Sequence, residues 1–498
     1  MVGADWKQKL HDSLDPPFTS LAAGPYEYGG QASFDAVVKL AVDGLRARTA
    51  VVEPYVSTDW NAERSYVYGR TFRGSPEYAQ RIHFFAEAID YKNLYDLPDT
   101  VKYLGYCVVR PIQAFRVGDT VLASPCTVAP ADANWVHCLA QFNVSLLGNK
   151  LSVLGMPFFQ QDTTVGVCAH ADLWMVARYL NIKGEIRRYR PPEIAEIATG
   201  TLSLGPPRAG LFDWQMAGAL ANMGLGPMIE YPADPGAAKE FIFSCVESEL
   251  PVITGIPAHV VVVIGHHYDD DHKFAQGVRS IADAVDCFIA HDDAAGPYLK
   301  MPVGPRVPAD GPSTQLLTLS EQEVDVFIVS FPARINMYWQ DARDTAMVWI
   351  EEIDRYVAGL LGLGETVVWR KEDLQNIVLR AYLRLSSDFK NDLLNPTPDM
   401  RRNETIIAKY KCMHMPKYVW VIELASRSDL EGIALTRRKI RAEIVLDSTA
   451  NRHVPEEALL AFHFDGKMFI PRRNGRPAEL IPVEEKPYSP LKRSKHQG

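Results

Sequence analysis

Apolar and polar positions follow two alternating periods along the chain. In SFDAVVKLAVDGLRAR, Ser33 to Arg48, the apolar residues recur at helical spacing, with Ser33 placed to cap the helix. Aromatic and β-branched runs follow: AVVEPYV, RSYVYGRTF, YLGYCVVRPI and TVLASP predict strands, and SPEYAQRIHFFAEAI predicts a helix among them. From Cys168 the pattern turns helical again. Leu173, Val176, Ala177 and Leu180 fall at i, i+3, i+4 and i+7, and Gly184 is a natural stop. Helical patterns at FDWQMAGALANMG and GAAKEFIFSCVESEL precede the strand-like runs PVITGIPAHVVVVIGHHYDDD and CFIAHDDAAGPY. Past the Pro/Gly-rich MPVGPRVPADGPS lie two long amphipathic patterns, ARDTAMVWIEEIDRYVAGLLGLG and KEDLQNIVLRAYLRLSSDFKNDLL, and then the strand-like YVWVIELAS.

With 498 residues the chain exceeds one ordinary core. The elements divide it into a mobile start (1–30), an α+β region (31–149), a middle region (150–305), a C-terminal α+β region (306–483) and a polar, basic tail (484–498). In the middle region helices come first and strands afterwards. That is the order of an α+β domain with a small antiparallel sheet.

A net charge of −9 excludes nucleic-acid binding through overall charge, which rests on neutralising phosphates. The first residues lack the basic start and apolar core of a secretory signal, and no run of about 18 apolar residues occurs. The expectation is a cytoplasmic protein with no membrane partner; oligomeric state is not legible. Seven cysteines without a C-x-x-C pair fit a reducing compartment rather than a disulfide scaffold or zinc finger.

One cysteine has a distinctive setting. At the start of a helix, Cys168 meets exposed backbone N–H groups and the positive end of the helix dipole, which favour a thiolate. A thiolate attacking a carbonyl needs donors for the resulting oxyanion, and Gln160 or Gln161, eight and seven residues upstream, could join the backbone N–H of Cys168 in that role. A buried core cysteine followed by an ordinary helix would give the same pattern. The base expected beside it is His259, which opens the apolar run HVVVVIG and so stands at a strand end. His170 is the weaker choice, because residues i and i+2 of a helix face different sides. Asp292 is the favoured orienting acid, first after the apolar run CFIAH, and a slip of one residue would give Asp293.

Taken together, QQDTTVGVCAHADLWMVARYL, ELPVITGIPAHVVVVIGHHYDDD and FIAHDDAAGPY resemble the three motif blocks of papain-like cysteine peptidases, closest to the bacteriocin-processing, double-glycine-leader branch. The resemblance spans roughly 156–302. It implies a papain-like core, with a nucleophile helix packed on a small antiparallel sheet. It also implies Cys168 as nucleophile, His259 as base, Asp292 as orienting acid and Gln161 for the oxyanion hole. The chain departs from the pattern in having Ala169 where the family usually has glycine, and a Gln-to-Cys spacing one residue longer.

The function expected is a cysteine hydrolase acting on a peptide or protein substrate through a thioester, with no cofactor and no metal. GHHYDDDH carries metal-ligand residue types, but strand geometry would scatter them and the spacing is not that of a zinc site. The same site could pass its acyl group to an amine, as a transpeptidase or transglutaminase-type enzyme does. A catalytically inactive binding or scaffold protein is the third reading, and an unactivated thiol would mark it.

Overall fold

The computed structural model describes residues 32–482 except 73–74, 113–114, 126–133, 163–167, 201–209, 234, 257–258, 270, 304–325, 362–375, 395–403, 432–439, 452, 465 and 473–477. The expected mobile start, the Pro/Gly-rich segment beyond residue 303 and the basic tail lie outside the described residues. The chain is mixed α+β with several antiparallel sheets. It forms two compact units: one runs to Pro232 and includes Pro251–Gly265 and Phe288–Phe331, and the other takes Ala233–Leu250, His266–Cys287 and the chain from Pro332.

In the first unit, Thr49–Tyr55, Ala79–Phe85, Tyr103–Val109, Val117–Leu122 and Pro157–Phe158 pair in that order as a five-stranded antiparallel sheet. Gly105 permits one close approach in it. Its φ is +119°, and an added Cβ would lie 2.1 Å from the Val121 carbonyl oxygen. A hairpin, Ala140–Leu146 with Asn149–Gly155, shows the buried and exposed alternation of a one-sided strand along its first arm. A second sheet runs Gly296–Pro302, Val285–Asp292, His259–Tyr268, Val252–Ile256, Val326–Phe331, Gly226–Glu230. The helix Cys168–Ile182 packs against the helices Pro191–Thr199 and Asp213–Asn222 and against Pro157–Phe158. Its Leu173, Val176, Ala177 and Leu180 are all buried.

The second unit is built on a sheet ordered Arg279–Ser280, Ile377–Leu385, Tyr418–Ser426, Ala442–Asp447, Leu459–Phe464, Lys467–Ile470, Glu479–Pro482. The first pair is parallel and the others antiparallel. The helix Pro235–Glu247 packs on Ile377–Leu385, where Ser248 Oγ accepts the Leu383 N–H at 2.8 Å and Glu247 binds Arg380. These bonds explain why Ala233–Leu250 groups with the C-terminal part of the chain rather than with the middle region that the sequence order suggests.

Four local expectations are corrected. RSYVYGRTF does not form a strand: Thr58–Tyr66 is a helix capped by the Ser57 hydroxyl, which accepts the Trp60 N–H, and Tyr68–Arg70 is a 3-10 turn. SPEYAQRIHFFAEAI is not a helix, since Ala79–Phe85 is a strand flanked on both sides in the five-stranded sheet. Burial of almost every side chain of that strand outweighs its helical spacing. In KEDLQNIVLRAYLRLSSDFKNDLL the described part splits into the strand Ile377–Leu385 and the helix Ser386–Leu394. Ser33, expected as a cap, lies inside the helix Ala32–Lys39, and its hydroxyl donates to the Asp293 carbonyl at 2.8 Å.

Candidate active site

Three element ends meet in the first unit. Cys168 begins its helix, His259 begins the strand His259–Tyr268, and Asp292 ends the strand Val285–Asp292. His259 Nε2 donates to Asp292 Oδ1 at 2.9 Å, and Cys168 is also hydrogen-bonded to the imidazole. With Nε2 turned to the acid, Nδ1 is the nitrogen left for the thiol. Cys168 and His259 are partly exposed, while the Asp292 side chain is 4% exposed, so the acid anchors the pair from inside.

The one-residue ambiguity between the acids has a geometric answer. Asp293 Oδ1 stands 3.7 Å from His259 Nε2, beyond hydrogen-bond reach, whereas Asp292 Oδ1 makes the bond. Asp292 is fixed by its own turn, its Oδ1 also accepting the N–H groups of Ala294 (2.8 Å) and Ala295 (3.2 Å). Gln160 and Gln161 separate in the same way. Gln160 is fully buried and its Oε1 accepts the Val117 N–H at 3.1 Å, whereas Gln161 is half-buried and its N–H approaches Asp293 Oδ2 at 3.4 Å. His170 points into the core, two residues or about 200° around the helix from Cys168.

Charges act strongly here. Burial opposes a charge on His259, yet its hydrogen bonds to Asp292 and Cys168 and the charges of Asp292 and Asp293 raise its pKa to about 11. The imidazole therefore holds its second proton at neutral pH. Asp293 is pushed up to about 7, by burial first and then by the Asp292 charge, with His259 pulling the other way.

Sequence reasoning missed Asp172. It lies one turn after Cys168 on the same helix face, is fully buried, and neither carboxyl oxygen has a hydrogen-bond partner among the described residues. Burial, with Asp293 and Cys168 adding, raises its pKa well above the ordinary carboxyl value. The available signal was an acid at i+4 from the cysteine, within an otherwise apolar helix.

The pair of raised carboxyls has a measurable consequence. As pH rises through about 7 Asp293 ionises 3.7 Å from His259 Nε2, and the folded protein gives up a proton that it holds more tightly than the unfolded chain does. Urea midpoints are therefore expected to fall as pH rises from 3.8 through about 7, and Asp293→Asn should flatten that fall. Superimposable profiles would refute the assignment. The groups facing Asp293 are His259, Asp292 and Asp172, together with the Gln161 N–H.

His259, Asp292 and Asp293 bring their ligand atoms within 4.8 Å of one another. The hydrogen bonds just described account for this clustering. No helix among the described residues is long and apolar enough to cross a membrane. No protein-family model matches the chain, and no curated protein matches it.

Proposed function

We propose that the protein is a papain-like cysteine hydrolase cleaving a peptide or isopeptide bond. The observation that carries this reading is the ordered line of Cys168, His259 and Asp292, thiol to imidazole to buried carboxylate, assembled from three separate element ends. The cysteine-led helix, together with the sheet strands that bear the histidine and the acid, supports a papain-like core, in keeping with the motif resemblance.

In this mechanism Sγ of Cys168 attacks the scissile carbonyl while its proton resides on His259. The oxyanion that forms is held by the backbone N–H of Cys168 and the side-chain amide of Gln161. His259 then gives its proton to the departing amine, the C–N bond breaks and a thioester remains. Water, deprotonated by His259, attacks that thioester and releases the acid and the free thiol. Asp292 keeps the ring oriented and stabilises its charged form throughout.

The site predicts selective thiol chemistry. Cys412 is exposed, whereas Cys107, Cys138, Cys245 and Cys287 are buried, the Cys107 thiol being pushed up to about 12 by burial. Peptide mass spectrometry after brief iodoacetamide treatment at pH 7 is expected to find Cys168 labelled about tenfold faster than the more exposed Cys412. The companion measurement is p-nitrophenyl acetate, with an acyl group recovered on Cys168 and none on the same peptide of Cys168→Ala. Labelling no faster than at Cys412, or acetate turnover unchanged in Cys168→Ala, would defeat the hydrolase reading.

A further inference from the structure

Arg110 lies just beyond the strand Tyr103–Val109 and is 1% exposed, an unusual place for a guanidinium. Its Nη1 binds Glu63 Oε1 at 2.7 Å, and Glu63 is equally buried. What the other side of the fork does is more informative. Nη2 donates to the Gln160 carbonyl at 2.7 Å, the guanidinium lies 4.6 Å from the Phe159 ring centroid, and Nη1 is 3.9 Å from Asp162 Oδ2. Tyr68 adds a hydrogen bond to Asp162 Oδ2 at 2.5 Å, and the Val117 N–H takes the Gln160 side chain.

Of the four consecutive residues Phe159, Gln160, Gln161 and Asp162, three are thus gripped by side chains or backbone from the first 122 residues. Among the described residues only Gln161 has no such contact to its side chain, and its backbone N–H meets Asp293 beside the histidine. We propose that Arg110 is the positioning residue of the oxyanion hole, its fork holding the Gln160 carbonyl on one side of Gln161 and facing the Asp162 carboxylate on the other so that the glutamine amide is held ready at the thiol. This rests on the hydrolase reading above and gives the N-terminal sheet a part in the chemistry. A lysine could neutralise Glu63 but lacks the planar fork that reaches Glu63 and the Gln160 carbonyl together.

The test compares two small reagents that need no substrate subsites. Iodoacetamide reads only the thiol and its histidine, whereas acylation by p-nitrophenyl acetate passes through an oxyanion. The variant Arg110→Met with Glu63→Leu removes the clamp together with the Glu63 charge and leaves Asp162 to the Tyr68 hydroxyl, and Arg110→Lys serves if that variant fails to fold. Expected is alkylation of Cys168 within about twofold of wild type, with acylation reduced about a hundredfold, as for the loss of one oxyanion donor. Gln161→Ala should cost about a hundredfold in wild type but less than about threefold in the clamp variant, because a misplaced donor has nothing left to lose. Unchanged acylation, equal loss with both reagents, or losses that multiply would overturn the proposal. If wild-type Cys168 takes no acyl group at all, the hydrolase reading itself fails; normal wild-type acylation with an indifferent clamp variant defeats the Arg110 role alone.

Discussion

Alanine in place of His259 is expected to lower acylation of Cys168 by p-nitrophenyl acetate about a thousandfold, within the range attributed to a positioned general acid–base group. Two functions are lost together. The thiol loses the acceptor of its proton, and the thiolate loses the neighbouring imidazolium that Asp292, 2.9 Å away, and Asp293 sustain. Alkylation by iodoacetamide at pH 7 should fall as well, which separates this variant from the Arg110 clamp. Circular dichroism should change little, because the His259 side chain is 21% exposed and fills no core position.

The same substitution has a signature in stability. His259 has its pKa raised in the folded state, from 6.5 to about 11, so its contribution is fully present below pH 6.5 and lost once pH has risen through about 11. Urea midpoints of wild type should therefore decline across that window, and those of His259→Ala should decline less. Acylation within tenfold of wild type, or parallel midpoint curves, would show that the imidazole is not held as the geometry indicates.

The placement of Cys168, His259 and Asp292 at element ends was legible because each position leaves a local trace. A strand that begins with histidine, a helix that begins with cysteine and an acid at the end of an apolar run can each be read within a dozen residues. Which acid bonds His259 and which glutamine is already engaged elsewhere was not legible, since both turn on register. Gln160 is diverted by Val117, more than forty residues away, and Asp293 is separated from Asp292 by 0.8 Å of reach. Asp172 escaped because a buried acid inside an apolar helix looks like an error until its neighbours are known.

Fold class was readable, whereas sheet order was not. Val326–Phe331 enters the second sheet between Val252–Ile256 and Gly226–Glu230, and no local pattern records that insertion. Ala79–Phe85 and Thr58–Tyr66 show the opposite problem, with local spacing present but overruled. Ala79–Phe85 becomes a strand because it has neighbours on both sides, and Thr58–Tyr66 a helix because Ser57 caps it and Trp60 and Glu63 are buried.

Arg380 and Glu247 supply the largest stability effect. In the second unit Arg380 Nε donates to Glu247 Oε2 at 3.0 Å, Nη2 reaches the same oxygen, and Nη1 binds Glu423 Oε2 at 2.9 Å. Glu247 Oε1 is bound in turn by His266 Nε2 at 2.7 Å and by the Tyr268 hydroxyl at 3.3 Å, and Tyr382 closes the network on Glu423 at 3.0 Å. The three charged side chains are 6%, 1% and 2% exposed, so water cannot replace a missing partner. Burial opposes the Arg380 charge, but the two carboxylates overcome it and hold the proton more tightly than in solvent. Glu247→Ala strips Arg380 of one carboxylate and His266 of its acceptor, and should destabilise the unit by about 3–5 kcal/mol, the range for breaking a buried ion pair from one side. Replacing Glu247, Arg380 and Glu423 together with Leu, Met and Leu should cost far less, because no buried charge remains. Urea unfolding followed by tryptophan fluorescence measures both, Trp420 lying in the same sheet. A single substitution that costs less than about 1 kcal/mol, the scale of a surface pair, would mean that the network is solvated.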